Sequence, residues 1–140
     1  MSTPTQSNTQ TANQIVVRIR RPTCWSQRTC SPHVNAIHII GIRNFRPRIL
    51  RTIEPTRSIE PKYATVTLTN DILVVSYYQT TRLNAYITIY KPKELDPELA
   101  KALTLKALGF YDFEKIVKPH IEVKDFDVLI QNQSQLSTQQ

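Results

Sequence analysis

Three strand signals follow one another between Tyr63 and Tyr90, and a capped helix comes directly after them. In the first, Tyr63, Thr65, Thr67 and Thr69 alternate with Ala64, Val66 and Leu68. Successive side chains of a β-strand point to opposite faces, so this run predicts one polar face and one apolar face. Asn70-Asp71 reads as a two-residue turn, Ile72 to Tyr78 as a denser apolar strand, and Gln79 to Leu83 as a loop. Asn84 to Tyr90 alternates again, with Ala85, Ile87 and Ile89 opposite Tyr86, Thr88 and Tyr90. Asp96 is placed to cap a helix, Pro97 to open it and Glu98 to complement its dipole. Leu99, Ala102, Leu103 and Ala107 follow at helical spacing, and Gly109 can adopt the left-handed stop. A meander of strands beside a separate helix predicts an α+β layer arrangement.

The flanks fill in the rest. Ile15 to Arg20 is a β-branched run ending before Pro22, with Ile15, Val17 and Ile19 turned to the core. Ser31-Pro32 is a helix-start pair, and Val34, Ile37, Gly41 and Phe45 lie near one helical stripe, which favours a helix from Ser31 to Phe45. Ala36 to Ile42 is nevertheless rich enough in β-branched residues to serve as a buried strand, so the choice stays open. Arg48 to Ile53 reads as an edge strand within a loop stiffened by Pro47, Pro55 and Pro61. Ile116 to Val123 and Phe126 to Ile130 read as closing strands, interrupted by Pro119. The polar stretches 1–13 and 131–140 cannot bury enough apolar surface to order themselves, which leaves one domain over 14–130 between disordered tails. No apolar run approaches the roughly 20 residues of a membrane helix. The first residues carry no secretory pattern, and two cysteines do not make a disulfide framework, so a cytoplasmic location is expected.

Charge is divided unevenly. The first fifty-seven positions hold Arg18, Arg20, Arg21, Arg28, Arg43, Arg46, Arg48, Arg51 and Arg57 against the single acid Glu54. The remainder holds eight lysines and Arg82 against ten acids. The front is near +8 and the back near −1, which gives the chain its +7. Arginine's planar fork binds phosphate through two parallel hydrogen bonds. Uncompensated guanidinium groups repel one another until a polyanion neutralises them, so the block points to nucleic acid. Tyr63, Tyr86 and Tyr90 fall on the polar side of the alternating strands, where aromatic rings can stack on unpaired bases.

Other chemistry is poorly represented. No nucleophile elbow, metalloprotease helix or phosphate-binding glycine loop is present. Helix capping and dipole complementarity account for Asp96 and Glu98, and no self-contained active site emerges. Cys24, Cys30, His33 and His38 supply the donors of a tetrahedral zinc site, but they lack the short two-residue knuckle spacing, and ordinary thiols near a loop explain them better.

The run from Ile72 to Leu105 resembles the central hairpin and helix of component 2 of ribonuclease P, a small protein subunit of the archaeal and eukaryotic enzyme. Val74-Val75-Ser76-Tyr77-Tyr78 ends an apolar strand in tyrosines, Thr81-Arg82 makes the turn, Lys91 and Lys93 close the second strand, and the helix carries Lys101-Ala102-Leu103. On that likeness Ile15 to Arg20 would be the first strand, Ser31 to Phe45 the first helix and Lys118 to Ile130 the last strand. The chain departs from it at Asn84-Ala85, where the family has glycine, at Asp127 to Ile130, and in the surplus segment Arg46 to Pro61. The resemblance implies an RRM-like fold: one mostly antiparallel sheet with two helices packed on one face. It implies a non-catalytic RNA-binding subunit of the ribonucleoprotein that processes tRNA 5′ ends, with a partner protein subunit, ribonuclease P RNA and precursor tRNA. It implies no directly bound cofactor, Mg²⁺ being held through the RNA. The contacts would then come from Arg18, Arg20, Arg21, Arg43, Arg46, Arg48, Arg51, Arg82, Lys91 and Lys93, with Tyr63, Tyr86 and Tyr90. Competing readings are the small dimeric subunit of a tRNA-modification complex of the KEOPS type, a basic DNA-binding or virion protein, and a basic α+β protein that binds no nucleic acid.

Overall fold

The computed structural model describes residues 13–19, 34–55, 60–79, 84–109 and 118–131. Its elements are β1 (Asn13–Ile19), β2 (Val34–Gly41), a 3-10 turn (Arg43–Phe45), β3 (Arg48–Ile53), β4 (Lys62–Leu68), β5 (Ile72–Gln79), β6 (Asn84–Lys91), α1 (Pro97–Leu108), β7 (Lys118–Asp125) and α2 (Phe126–Gln131). Five strands form a sheet in the order β3-β2-β5-β6-β7, antiparallel except for the parallel pair β6–β7. Parallel neighbours need a crossover between them, and the chain from β6 to β7 runs through α1. The class is therefore α+β, with a mostly antiparallel sheet and two helices packed against it.

The meander at the centre is rearranged relative to its sequence order. β4 alternates as its threonines require, with Ala64, Val66 and Leu68 buried and Tyr63, Thr65 and Thr67 exposed. Its partner is β1, in a separate two-stranded ribbon running from Asn13↔Leu68 to Ile19↔Lys62. The Asn70-Asp71 turn thus carries the chain from the ribbon into the five-stranded sheet, where Ile42 N–H donates to the Asp71 carbonyl at 2.8 Å. Both faces of β5 are covered. Ile72 and Val74 join Ile37, Ile39, Ile53 and the ribbon's Ile15, Val17, Ile19, Val66 and Leu68 in one core, together with Phe126 and Leu129 of α2. Leu73, Val75 and Tyr77 join Ile40, Ala85, Ile87, Ile89 and the α1 residues Ala100 and Leu103 in the other. Each face of the sheet therefore receives one helix.

Helix α1 starts and stops as its sequence dictates. Asp96 Oδ2 accepts from Leu99 N–H at 3.0 Å, and Gly109 ends the helix at φ 77°, donating to the Lys106 carbonyl at 3.1 Å. Three expectations are corrected. The two helices, expected on one face of the sheet, pack on opposite faces. Residues 34–41, for which a helix was favoured, form a strand between β3 and β5, so the first helix required by an RRM-like order is replaced by a strand. Phe126–Gln131, expected as a strand, is a helix that buries Phe126 and Leu129, which are one helical turn apart. Pro119 sits in β7, an edge strand, where the ladder tolerates a missing donor. The expected polar tails lie outside the described residues except at their inner ends, where Asn13 belongs to β1 and Gln131 to α2. No helix among the described residues is long and apolar enough to cross a membrane.

Candidate nucleic-acid interface

The basic surface is built where β2 turns into β3. Gly41 ends β2 opposite Arg48, and the chain between them makes one 3-10 turn with Phe45 N–H donating to the Ile42 carbonyl at 2.9 Å. β3 is an edge strand, and every residue of it before Ile53 is exposed. Arg43, Arg46, Arg48 and Arg51 therefore stand on one solvent-facing margin. Arg43, Arg46 and Arg48 line a hollow of about 690 Å³ together with Leu50, Thr69 and Asp71. Its floor is kept low by Gly41, since a Cβ there would stand 3.0 Å from Leu50 Cδ1. Among the described residues, the one ion pair made by these four arginines joins Arg43 to Asp71 at 3.8 Å, with both side chains more than half exposed. Such a pair contributes little and leaves the guanidinium groups open to another anion. Arg51 is more committed, because its Nη1 donates to the Thr65 carbonyl at 3.2 Å and ties the sheet margin to the ribbon.

The remaining basic candidates are scattered. Arg18 lies half-buried on β1, opposite Tyr63 in the ribbon register, with a buried Nε that finds no acceptor among the described residues. Lys91, expected at phosphate, is buried instead. Its Nζ donates to Asp125 Oδ1 at 2.9 Å and to the Lys93 carbonyl at 3.3 Å, because parallel pairing of β6 with β7 sets Lys91 opposite Asp125. Lys93 is exposed, 3.8 Å from Asp127. Arg20, Arg21 and Arg82 lie outside the described residues.

The three tyrosines do not share a face. Tyr63 is exposed on the ribbon, which does not pair with the sheet that carries Tyr86 and Tyr90. Tyr90 is buried in the core beside α2, where desolvation, with Glu122 adding to it, raises the phenol above its usual pKa. Tyr86 is exposed but has different neighbours from those expected. His120 on β7 stacks on it at 4.7 Å with planes 13° apart, and Tyr78 on β5 lies 6.5 Å away on its other side. The register Tyr78↔Tyr86↔His120 makes a row of three rings across three strands.

Of the zinc candidates, Cys24, Cys30 and His33 lie outside the described residues, and no group able to hold a metal occurs among the described ones. His38 is half-buried on β2, with Nδ1 3.0 Å from Thr52 Oγ1 and its ring edge-on to Tyr77. Burial lowers its pKa below 6.5, and Glu54 opposes this only in part. A histidine whose folded pKa is depressed binds its proton more readily when unfolded, so its contribution is full above 6.5 and shrinks as pH falls below it. Urea titrations from pH 7 to pH 5 are expected to show a loss of stability that is smaller in His38→Gln. Equal losses in both proteins would contradict the assignment.

Sequence reasoning placed Phe45 on the stripe of a helix and not at this surface, but it stands in the exposed turn. It is the most exposed large apolar side chain among the described residues, at 62 %, and its backbone is left-handed at φ 57°, as is that of Asn44 before it. A bulky residue held there costs on the order of 1–3 kcal/mol. The signal was available: Arg43-Asn44-Phe45-Arg46-Pro47-Arg48 sets one ring among three arginines. No family model, curated protein or solved structure matches this chain.

Proposed function

We propose that this chain is a non-catalytic RNA-binding protein that holds phosphates on the β2–β3 margin. The observation that carries the reading is the group Arg43, Arg46, Arg48 and Arg51, exposed along the turn and the edge strand that follows it, with one loose ion pair to Asp71 among the described residues. Arginine forks so placed can take phosphate oxygens two at a time, and the hollow beside them gives the backbone a seat. The row Tyr78, Tyr86 and His120, of which Tyr86 and His120 are exposed, supports RNA over duplex DNA, because single-stranded loops present faces on which rings can stack. In the narrower form of this proposal the chain is an accessory subunit of a cytoplasmic ribonucleoprotein that trims tRNA 5′ ends. Its partners are then the catalytic RNA, precursor tRNA and a second protein subunit, with Mg²⁺ held by the RNA. The likeness in β5, β6 and α1 motivates that form.

Fluorescence anisotropy with precursor tRNA, unstructured RNA and duplex DNA of equal charge tests the reading across a salt series. Precursor tRNA is expected to bind at least tenfold tighter than duplex DNA at each salt concentration. Equal or tighter DNA binding would favour a DNA-binding protein, and no binding to any of the three would remove the nucleic-acid reading. The narrower form predicts that the pure protein cuts nothing but speeds cleavage when added with the catalytic RNA and partner subunit. A stable homodimer with no such stimulation would favour the tRNA-modification alternative.

A further inference from the structure

Phe45 is difficult to account for by folding. Its ring is mostly in water, so it adds little to the core, and its backbone occupies a region that favours glycine. Folding alone would be better served by a small or polar residue at this turn. The surroundings suggest another use. The hollow lined by Arg43, Arg46 and Arg48 adjoins a second hollow of about 520 Å³, and the two share Asn44 and Asp71. The second is lined by Phe45 and Leu95, which are flat or apolar, and by Asn70, Asp71 and Glu94, which carry hydrogen-bond acceptors. One hollow is therefore rich in cations, and its neighbour combines an aromatic face with two carboxylates.

We infer that these adjoining hollows take one unpaired nucleotide of an RNA strand, its phosphate on the arginines and its base on Phe45. The inference rests on the RNA-binding reading above and names the feature that the margin selects. A base is planar and stacks on an aromatic face, whereas a base within a duplex has both faces covered by its neighbours. The edge of the base would meet Asp71 and Glu94, which accept hydrogen bonds but cannot donate them when ionised. Guanine offers an N–H and an amino group side by side, and uracil offers one N–H, so a guanine is held better. Two carboxylates beside three arginines make a poor site for a bare polyphosphate, and they suit a ligand that carries donors next to its charge.

The test uses the full chain and three labelled probes: an RNA heptamer of uridines, the same heptamer with a central guanosine, and a blunt RNA duplex. The guanosine heptamer is expected to bind about threefold to tenfold tighter than the uridine one. Phe45→Gly is expected to weaken guanosine-heptamer binding at least tenfold, to change duplex binding less than twofold, and to hold or raise the melting temperature. Phe45→Tyr should bind the heptamer like wild-type, whereas Phe45→Leu, which keeps a bulky side chain on the same backbone but loses the ring, should weaken it; a merely structural role would leave both unchanged. If wild-type protein binds none of the probes, the RNA reading falls and takes this inference with it. If wild-type binds, and loses binding when Arg43, Arg46 and Arg48 become glutamine, but Phe45→Gly binds like wild-type, the inference alone is wrong. Equal weakening of heptamer and duplex by Phe45→Gly would also overturn it, as would equal affinity for the two heptamers.

Discussion

Truncating Leu73 to alanine is expected to destabilise the protein by about 2–5 kcal/mol, and truncating its neighbour Val74 by about 2–3 kcal/mol. Both side chains are fully buried, yet they are consecutive on a strand and so point to opposite faces of the sheet. Leu73 packs in the core beneath α1, with Ile87 and Ile89. Val74 packs in the core beneath the β1–β4 ribbon, with Ile39 and Val66. Close packing on each side leaves little room for relaxation, so each truncation loses transfer energy and leaves a cavity. Thermal melts should fall by roughly 10 °C or more in each variant, given a few degrees per kcal/mol for a domain near this size. A sheet covered on one side only would make one of the two substitutions nearly silent. A shift below about 2 °C for either variant would therefore contradict the layered packing described here.

Much of that packing was legible in the residues, and the failures have identifiable causes. β4 and α1 were readable because their signals are local. Alternating threonines set the faces of β4, and Asp96, Pro97 and Gly109 frame α1 whatever else the chain does. β2 was misread because a central strand with both faces covered loses its polar alternation and becomes a continuous apolar run. Ile37 and Ile39 serve one core while Ile40 and Ile42 serve the other, so apolar residues fall on both faces of the strand. A helix-start pair at Ser31-Pro32 then tipped the balance wrongly. The segment after Asp125 was too short for periodicity to decide, although Phe126 and Leu129 already held helical spacing.

The candidate site was legible in its charge and not in its long-range partners. Arg43, Arg46, Arg48 and Arg51 are close in sequence and therefore close in space. Lys91 looked equally available, but its burial depends on Asp125, thirty-four residues later, through a parallel pairing that no local pattern announces. Tyr90 was correctly placed on the face opposite Ile89. That face is covered by α2 at the Tyr90 end and exposed at the Tyr86 end, and the alternation of one strand cannot show which end lies beneath a neighbour.

The second large effect concerns affinity. Replacing Arg43, Arg46 and Arg48 together with glutamine removes three exposed cations and keeps their length and polarity. Charge-assisted hydrogen bonds to phosphate contribute more than neutral ones, so structured RNA should bind roughly a hundredfold more weakly near 0.1 M salt. Stability should hardly change, because these side chains are exposed and their one ion pair among the described residues is long. Replacing Lys91 with glutamine should show the reverse pattern, weakening the fold because the buried ammonium's pair with the partly exposed Asp125 is lost, while leaving the salt dependence of binding as it was.

The most direct measurement is the slope of log K against log salt for precursor tRNA binding to wild-type protein and to the Arg43→Gln, Arg46→Gln, Arg48→Gln variant. Each neutralised phosphate contributes about 0.7 to 0.9 to that slope, so the triple variant should be shallower by about two units. Identical slopes for the two proteins would show that the β2–β3 margin does not meet the RNA backbone.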